Sequence, residues 1–139
     1  MCPRLRVMLV DDHPVVRAGV AALLEDRPVA ELVGSCEDPD QAIAMAQGLQ
    51  PDIILVDFLL ESSDGFNVAN ALRDRGCASQ LVLFTANEHR NVLMRSALSF
   101  GFHGYLSKSA VGHDLEDGLV TVGAGGDWMD GPAEAVAIR

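Results

Sequence analysis

Several features are scarce or absent in this 139-residue sequence, and each excludes a class of protein. No apolar run approaches the roughly 18 residues that a membrane-spanning helix needs, so we expect no membrane insertion. The apolar part of the N-terminal segment is too short for a secretory signal peptide. Basic residues are few, with 10 Lys and Arg against 20 Asp and Glu, and the net charge is −10. Because nucleic-acid binding needs a basic surface, this chain is not expected to bind nucleic acid directly.

Cysteine is too sparse and too dispersed to build a zinc site or a disulfide framework. The three residues Cys2, Cys36 and Cys77 are odd in number and match no zinc-binding spacing. Unpaired thiols are typical of a reducing compartment, so the sequence predicts a cytoplasmic protein. Apolar residues nevertheless make up 49% of the chain, which is enough for one packed domain.

Short apolar runs alternate with segments of helical periodicity along the chain. The predicted strands are 5–10, 30–36, 52–58, 80–86 and 104–108. The predicted helices are 14–26, 38–49, 64–75, 89–100 and 110–125. Because the strands are continuously apolar inside, we expect a parallel sheet with helices on both faces. Five strand–helix units are too few for a closed eightfold barrel, and the prediction is therefore an α/β fold with an open, doubly wound sheet.

The segment after the last predicted helix differs in composition from the rest of the chain. Residues 125–139 begin with two glycines, carry the only tryptophan and end in a short helical pattern. We therefore predict one domain over 1–124 and a C-terminal linker or short helical extension, outside the core, over 125–139. Trp128 is expected to pack this segment against the domain rather than to bind a ligand.

Polar side chains follow four of the predicted strands, at the edge where an open parallel sheet binds its ligands. Asp11 and Asp12 follow the first strand, and Asp57 lies at the end of the third. Thr85 ends the fourth strand and Lys108 ends the fifth. Three carboxylates at one edge would repel each other unless a cation lies among them. Oxygen ligands of this kind favour Mg²⁺, so the sequence predicts a magnesium site.

An acidic metal site beside a lysine suits phosphoryl transfer, which depends mainly on positioning and on stabilising charge. Asp57, at the end of the central strand, is placed to act as the nucleophile and to form an acyl phosphate. Asp11 and Asp12 are placed to hold the metal. Lys108 would stabilise the charge of the phosphoryl group, and Thr85 would hydrogen-bond one of its oxygens. Taken alone, the aspartate pair could simply stabilise the first helix by lying near its positive N-terminal end, and Thr85 could be an ordinary strand residue.

The sequence resembles the receiver domain of two-component response regulators over about residues 5–122. The resemblance rests on pieces in a fixed order: LVDDH at 9–13, ILVDF at 54–58, DG at 64–65, LFTA at 83–86 and GYLSKS at 104–109. The segments DDHPVVRAGV, GYLSKSA and AGGDW are most similar to the NarL/FixJ subfamily. The resemblance implies a flavodoxin-like (βα)5 fold with strand order 2-1-3-4-5, in which residues 1–124 form the receiver domain.

The resemblance also implies a function, in which Asp57 accepts a phosphoryl group from a phosphohistidine of a sensor histidine kinase. The implied Mg²⁺ ligands are Asp11, Asp12, Asp57 and the backbone carbonyl of Leu59. Lys108 would contact the phosphoryl group, while Thr85 and Tyr105 would form a switch pair. The switch would let Tyr105 turn inward after phosphorylation and would reshape the surface of the fourth helix, fifth strand and fifth helix. Phosphorylation would then favour a homodimer or a partner contact.

Regulators of this subfamily usually continue into a helix-turn-helix DNA-binding domain, so control of transcription is the expected output. The sequence departs from the family pattern at two places. Leu60 and Glu61 stand where the family often has Met-Pro, which is expected to loosen the following loop and to add an acid near the metal. Ser109 follows Lys108 where many receivers have proline, as also occurs within the NarL/FixJ group.

Two other functions stay open at the level of sequence. One is a receiver-like interaction domain that is not phosphorylated, with Glu61 and the altered loop disturbing metal binding. The other is a small hydrolase with an aspartate nucleophile on a similar sheet. Such hydrolases usually carry a second acid two residues after the nucleophile, and Leu59 occupies that position here. A turnover enzyme is therefore not expected.

Overall fold

A computed structural model describes residues 4–25, 27–61, 63–85, 90–108 and 112–129. Its strands are β1 (Leu5–Val10), β2 (Ala30–Cys36), β3 (Ile53–Val56), β4 (Gln80–Thr85), β5 (Gly104–Ser107) and β6 (Trp128–Met129). Its helices are α1 (Pro14–Glu25), α2 (Pro39–Leu49), α3 (Gly65–Asp74), α4 (Arg90–Ser99) and α5 (Gly112–Gly123). All five predicted strands and all five predicted helices over residues 5–125 are present, with their ends shifted by at most two residues, although positions 26, 86, 89, 110 and 111 lie outside the described residues. Among the described helices, none combines the length and the apolar character that crossing a membrane requires.

The strands form one parallel sheet in the order β2-β1-β3-β4-β5-β6. Its first five strands confirm the predicted order 2-1-3-4-5. Alternate residues of each central strand enter two different apolar clusters, because successive side chains of a strand point to opposite faces. Met8 and Ile54 pack with residues of α2, α3 and α4 on one face, whereas Val7 and Ile53 pack with residues of α1 and α5 on the other. Helices cover both faces, so the doubly wound architecture is confirmed.

Local sequence chemistry sets several helix ends. Asp38 caps the start of α2, where its carboxylate accepts a hydrogen bond of 2.9 Å from the Gln41 N–H, and Pro39 is the first helical residue. Gly101 follows the end of α4 with a φ of +85°, a conformation that favours glycine. The chain then turns, and the Phe102 N–H donates to the Ala97 carbonyl at 3.0 Å. The first of these ends fixes the turn from β2 into α2, and the second fixes the turn from α4 toward β5.

A sixth strand is the main difference from the predicted architecture. The sequence predicted a linker or helical extension from residue 125, outside the core, whereas Trp128 and Met129 pair in parallel with Gly104 and Tyr105 of β5. The Trp128 side chain packs against the apolar cluster that contains α1 and α5, as expected for a residue that anchors this segment. The remainder of the segment, residues 130–139 with the predicted short helical pattern, lies outside the described residues.

Two glycines provide the space in which Trp128 packs. A Cβ atom at Gly104 would lie 3.0 Å from the Trp128 carbonyl oxygen, and one at Gly118 would lie 3.1 Å from the indole ring. Larger residues at either position would therefore press on the tryptophan. A strand of two residues has no measurable apolar period, so the sequence pattern could not predict it.

Candidate functional site

The sheet register brings the acidic residues after β1 and β3 to the same level. Val10 pairs with Val56, and each strand continues by one residue into an aspartate. The Asp11 N–H donates to the Cys36 carbonyl at 2.9 Å, and the Asp57 N–H donates to the Val10 carbonyl at 2.9 Å. Both backbones are thus held by the hydrogen-bond pattern of the sheet. Both residues are almost completely buried, with 0% exposure for Asp11 and 1% for Asp57.

Lys108 follows β5 and forms ion pairs with both buried carboxylates. Its Nζ atom lies 2.9 Å from Asp11 Oδ2 and 3.1 Å from Asp57 Oδ2. Lys108 is the only lysine in the chain. One ammonium group is therefore shared between two buried carboxylates. When both carboxylates are ionised, these three side chains together carry a net negative charge.

The surroundings of Asp57 act in opposite directions on its titration. Burial raises the pKa of the Asp57 carboxyl above its usual range, and the neighbouring Asp11 carboxylate raises it further. The Lys108 ammonium and a hydrogen bond with the Thr85 side chain lower the pKa but do not cancel the rise. The charge of ionised Asp57 is therefore only partly compensated by the protein itself, and an added cation would stabilise it.

Asp12 lies closer to solvent and is connected to the loop after β3. Its side chain is 15% exposed, and its Oδ2 atom accepts a hydrogen bond of 2.6 Å from the Glu61 N–H. Leu60 is buried, and its backbone exchanges two hydrogen bonds with Ser63, at 3.1 and 3.3 Å. The loop that the sequence predicted to be loosened is thus hydrogen-bonded to Asp12 and also contains internal backbone hydrogen bonds. Glu61 is exposed.

His13 lies closer to the carboxylates than its position in the sequence indicates. The sequence predicts a residue at the start of the first helix, near the pocket, whereas in the structure its Nδ1 atom lies 2.9 Å from Asp11 Oδ1, 3.2 Å from Asp12 Oδ1 and 3.6 Å from Asp57 Oδ2. Its only signal in the sequence is its position directly after the aspartate pair. That position does not determine which way the side chain points.

The donor set of this cluster fits a divalent cation. Asp11, Asp12, His13 and Asp57 each offer one ligand atom, and these atoms all lie within 4.8 Å of one another. Carboxylate oxygens are the ligands that Mg²⁺ prefers. Leu59 follows Asp57 by two residues, with its N–H 3.4 Å from Asp57 Oδ1 and its side chain 63% exposed. Coordination by its carbonyl stays a prediction.

The two residues of the predicted switch lie on neighbouring strands. Thr85 ends β4 and pairs with Ser107, the residue before Lys108. Its side chain forms a hydrogen bond with Asp57. Tyr105 pairs with Leu83 and is fully buried in the cluster that contains α2, α3 and α4. In the switch predicted from the sequence, Tyr105 turns inward after phosphorylation. The structure already has it in a buried position, and its role in switching stays a prediction.

A separate cavity of about 900 Å³ lies at the opposite edge of the sheet. Arg4 and Arg6 line it together with residues of the loops before β3 and β4. Arg6 donates to the carbonyls of Leu49 and Gln50, at 2.6 and 3.1 Å, and Arg4 donates to that of Ala30 at 3.0 Å. These arginines therefore hold backbone segments in place through hydrogen bonds.

Comparison with known proteins agrees with this geometry. The family profile described as the response regulator receiver domain matches residues 7–119. The chain is 33% identical over 119 residues to the nitrate/nitrite response regulator protein NarL of Escherichia coli K12, covering 86% of this chain and 55% of NarL. It is 30% identical over 119 residues to the transcriptional regulatory protein LiaR of Bacillus subtilis, covering 83% of this chain and 54% of LiaR.

A solved structure gives the same result at the level of the fold. The crystal structure of a LuxR-family two-component response regulator from Aurantimonas sp. SI85-9A1 superposes with a TM-score of 0.87 and 28% identity, covering 97% of this chain and 94% of that one. The chain spans about half the length of the curated relatives that it matches. The acidic edge, the sheet order and these matches together show that the chain belongs to the receiver-domain family of two-component response regulators, in its NarL-like group.

Proposed function

We propose that this receiver domain accepts a phosphoryl group on Asp57 from the phosphohistidine of a sensor histidine kinase, with Mg²⁺ as the cofactor. One observation carries the proposal: the Lys108 ammonium lies 3.1 Å from Asp57 Oδ2, within a cluster of three carboxylates. A nucleophilic carboxylate, a metal-binding acidic pair and a fixed cation are the groups that transfer of a phosphoryl dianion requires.

In the proposed reaction, a carboxylate oxygen of Asp57 forms a bond to phosphorus as the bond between phosphorus and the kinase imidazole breaks. The imidazole leaves as a neutral group when its other ring nitrogen carries a proton. The product on this chain is an acyl phosphate. Asp11, Asp12 and Asp57, with the Leu59 carbonyl, would hold Mg²⁺, which would supply positive charge that offsets the negative charge of the carboxylates and of the phosphoryl group.

Lys108 and Thr85 would respond directly to the new group. The Lys108 ammonium now neutralises part of the charge of Asp57, and after transfer it would contact a phosphoryl oxygen. The Thr85 hydroxyl, which forms a hydrogen bond with Asp57 in this structure, would form one with another phosphoryl oxygen. Tyr105 would respond through the neighbouring strand, so that the surface of α4, β5 and α5 changes between two states.

We propose that this surface controls a homodimer or an output domain connected through residues 125–139, with residues 1–124 as the switching unit. Among the relatives, LiaR is named as a transcriptional regulatory protein. Control of transcription is therefore the output that we propose, and this chain would act in the cytoplasm as a phosphoryl acceptor rather than as a turnover enzyme.

The proposal is tested by the intact mass of the protein after incubation with Mg²⁺ and acetyl phosphate. Wild type should gain one phosphoryl unit, and Asp57→Asn should gain none. Asp52→Asn is a matched control, because Asp52 precedes the same strand at the opposite edge of the sheet and accepts a hydrogen bond from the Arg6 N–H. This variant should be phosphorylated like wild type.

A folded wild-type protein that gains no mass would contradict the proposal and favour the interaction domain that is not phosphorylated. Equal gains in wild type and Asp57→Asn would show that another residue is the acceptor.

A further inference from the structure

We infer that His13 is a fourth protein ligand of the metal site, through its Nδ1 atom, and that it shifts the metal preference from Mg²⁺ toward divalent transition metals such as Mn²⁺ and Co²⁺. The inference rests on the proposed function, because it concerns the same site. It adds one nitrogen ligand to a set that otherwise consists of oxygen atoms.

The distances around Nδ1 agree with those between neighbouring ligands of one metal ion. In an octahedral site with metal–ligand distances of about 2.0–2.1 Å, adjacent ligand atoms are about 2.9 Å apart. His13 Nδ1 lies 2.9 Å from Asp11 Oδ1 and 3.2 Å from Asp12 Oδ1. It lies 3.6 Å from Asp57 Oδ2, so one nitrogen is adjacent to an oxygen of each carboxylate.

The orientation of His13 is set by polar contacts rather than by packing, because its Nδ1 atom lies within hydrogen-bond distance, 2.9 Å, of Asp11 Oδ1. Its side chain is 58% exposed, and it follows the strand end on the surface of the molecule. An imidazole with that exposure could turn into solvent, yet Nδ1 points at the three carboxylates and lies 3.5 Å from Lys108 Nζ. The His13 N–H also donates to Asp11 Oδ1 at 2.8 Å, which holds the backbone beside the cluster.

A nitrogen ligand changes which metal binds best. Carboxylate and carbonyl oxygens suit Mg²⁺, whereas imidazole suits transition metals, and affinity for mixed nitrogen and oxygen sites rises from Mn²⁺ to Co²⁺. A site with three carboxylates and one imidazole should therefore bind Mn²⁺ and Co²⁺ more tightly than a site with the carboxylates alone. Its affinity for Mg²⁺ should depend little on the imidazole.

The test compares metal affinities of the 139-residue chain and its His13→Phe variant by isothermal titration calorimetry with Mg²⁺, Mn²⁺ and Co²⁺. Phenylalanine keeps a ring of similar shape and removes both nitrogens. Loss of this ligand should weaken Mn²⁺ and Co²⁺ binding on the order of tenfold and change Mg²⁺ binding by less than about threefold. His13→Ala should give the same result if the larger ring of phenylalanine disturbs the site.

A direct reading comes from pulsed electron paramagnetic resonance of the Mn²⁺-loaded protein. Wild type should show coupling to an imidazole nitrogen, and His13→Phe should lose it while still binding Mn²⁺. His103→Gln is the matched control, since His103 precedes β5 at the opposite edge of the sheet, and it should keep the coupling.

The outcomes separate this inference from the proposed function. Suppose that wild type binds Mg²⁺ and Mn²⁺ and that Asp12→Asn binds neither. If His13→Phe then leaves both affinities and the spectrum unchanged, the inference about His13 is wrong, whereas the metal site of the proposed function is supported. If wild type binds neither metal, the metal site of the proposed function fails, and the inference fails with it.

Discussion

Asp57 illustrates how much the chemistry of one side chain depends on its neighbours. In the sequence it is an acid at the end of an apolar strand, and that position was sufficient to predict its place at the edge of the sheet. Its raised pKa comes from burial and from Asp11, which is 46 positions away in the chain. The opposing cation, Lys108, comes from a third strand. The electrostatic character of Asp57 is therefore a tertiary property.

Cys36 gives a second prediction at the scale of a residue. It ends β2 in a buried position, and burial, followed by the nearby Asp38, raises the pKa of its thiol from 9.0 to about 11. At a pH between these two pKa values, the Cys36 thiol is deprotonated in the unfolded chain but keeps its proton in the folded protein. The free energy of unfolding should therefore fall as pH rises from about 9 to about 11, by up to about 2–3 kcal/mol.

Urea unfolding at pH 8 and at pH 10.5, for wild type and Cys36→Ala, would measure this effect. The alanine variant lacks the thiol, so its stability should change less between the two pH values than that of wild type. Equal losses in both proteins would show that other groups cause the alkaline destabilisation.

At the scale of the element, Gly65 shows why α3 begins where it does. From the sequence alone, Gly65 would be expected to permit a tight turn before this helix, but its φ is not among the positive values of the described residues. The requirement is space, because a Cβ atom here would lie 2.8 Å from the Asp57 carbonyl oxygen and 3.1 Å from the Phe58 Cα atom. The first turn of α3 packs directly on the backbone of Asp57, the proposed phosphoryl acceptor.

Gly65→Ala should therefore destabilise the protein by about 1–3 kcal/mol, because backbone atoms must move to admit the methyl group. It should also slow phosphorylation by acetyl phosphate, since the displaced backbone is that of Asp57. Gly19→Ala is the matched control: Gly19 lies in α1 with nothing within 4 Å of an added Cβ atom. Alanine there should stabilise the helix by about 0.5–1 kcal/mol.

Chemical denaturation of both variants would measure the difference in the free energy of unfolding. A Gly65→Ala protein as stable as Gly19→Ala would mean that α3 can move away from Asp57 at little cost.

At the scale of the whole molecule, folding brings acidic residues from distant parts of the chain together. Three carboxylates converge on one edge, while Arg4 and Arg6 lie at the other. A divalent cation at the acidic edge should therefore stabilise the folded state over the unfolded chain, in which the carboxylates are far apart.

Saturating Mg²⁺ should raise the thermal midpoint of the wild-type protein. At 100 times the dissociation constant the gain is about 2.7 kcal/mol, which corresponds to roughly 5–10 °C for a domain of this size. Asp12→Asn should lose most of this gain, whereas Asp52→Asn, altered at the opposite edge, should keep it.

Differential scanning calorimetry with and without Mg²⁺ gives the measurement, and NaCl at equal ionic strength corrects for general screening of the net charge. A shift of equal size in all three proteins would mean that Mg²⁺ acts by screening and not at the acidic edge.

The sequence by itself determined the five strand–helix units, their order along the chain and the polar residues at the strand ends. These are local properties, because apolar periodicity and capping residues act within a few positions of each other. The tertiary structure alone decided that Lys108 pairs with Asp11 and Asp57, that His13 turns toward the carboxylates and that Trp128 adds a strand. Lys108 and His13 are 95 positions apart, and only the packed sheet brings such distant segments to within hydrogen-bond distance.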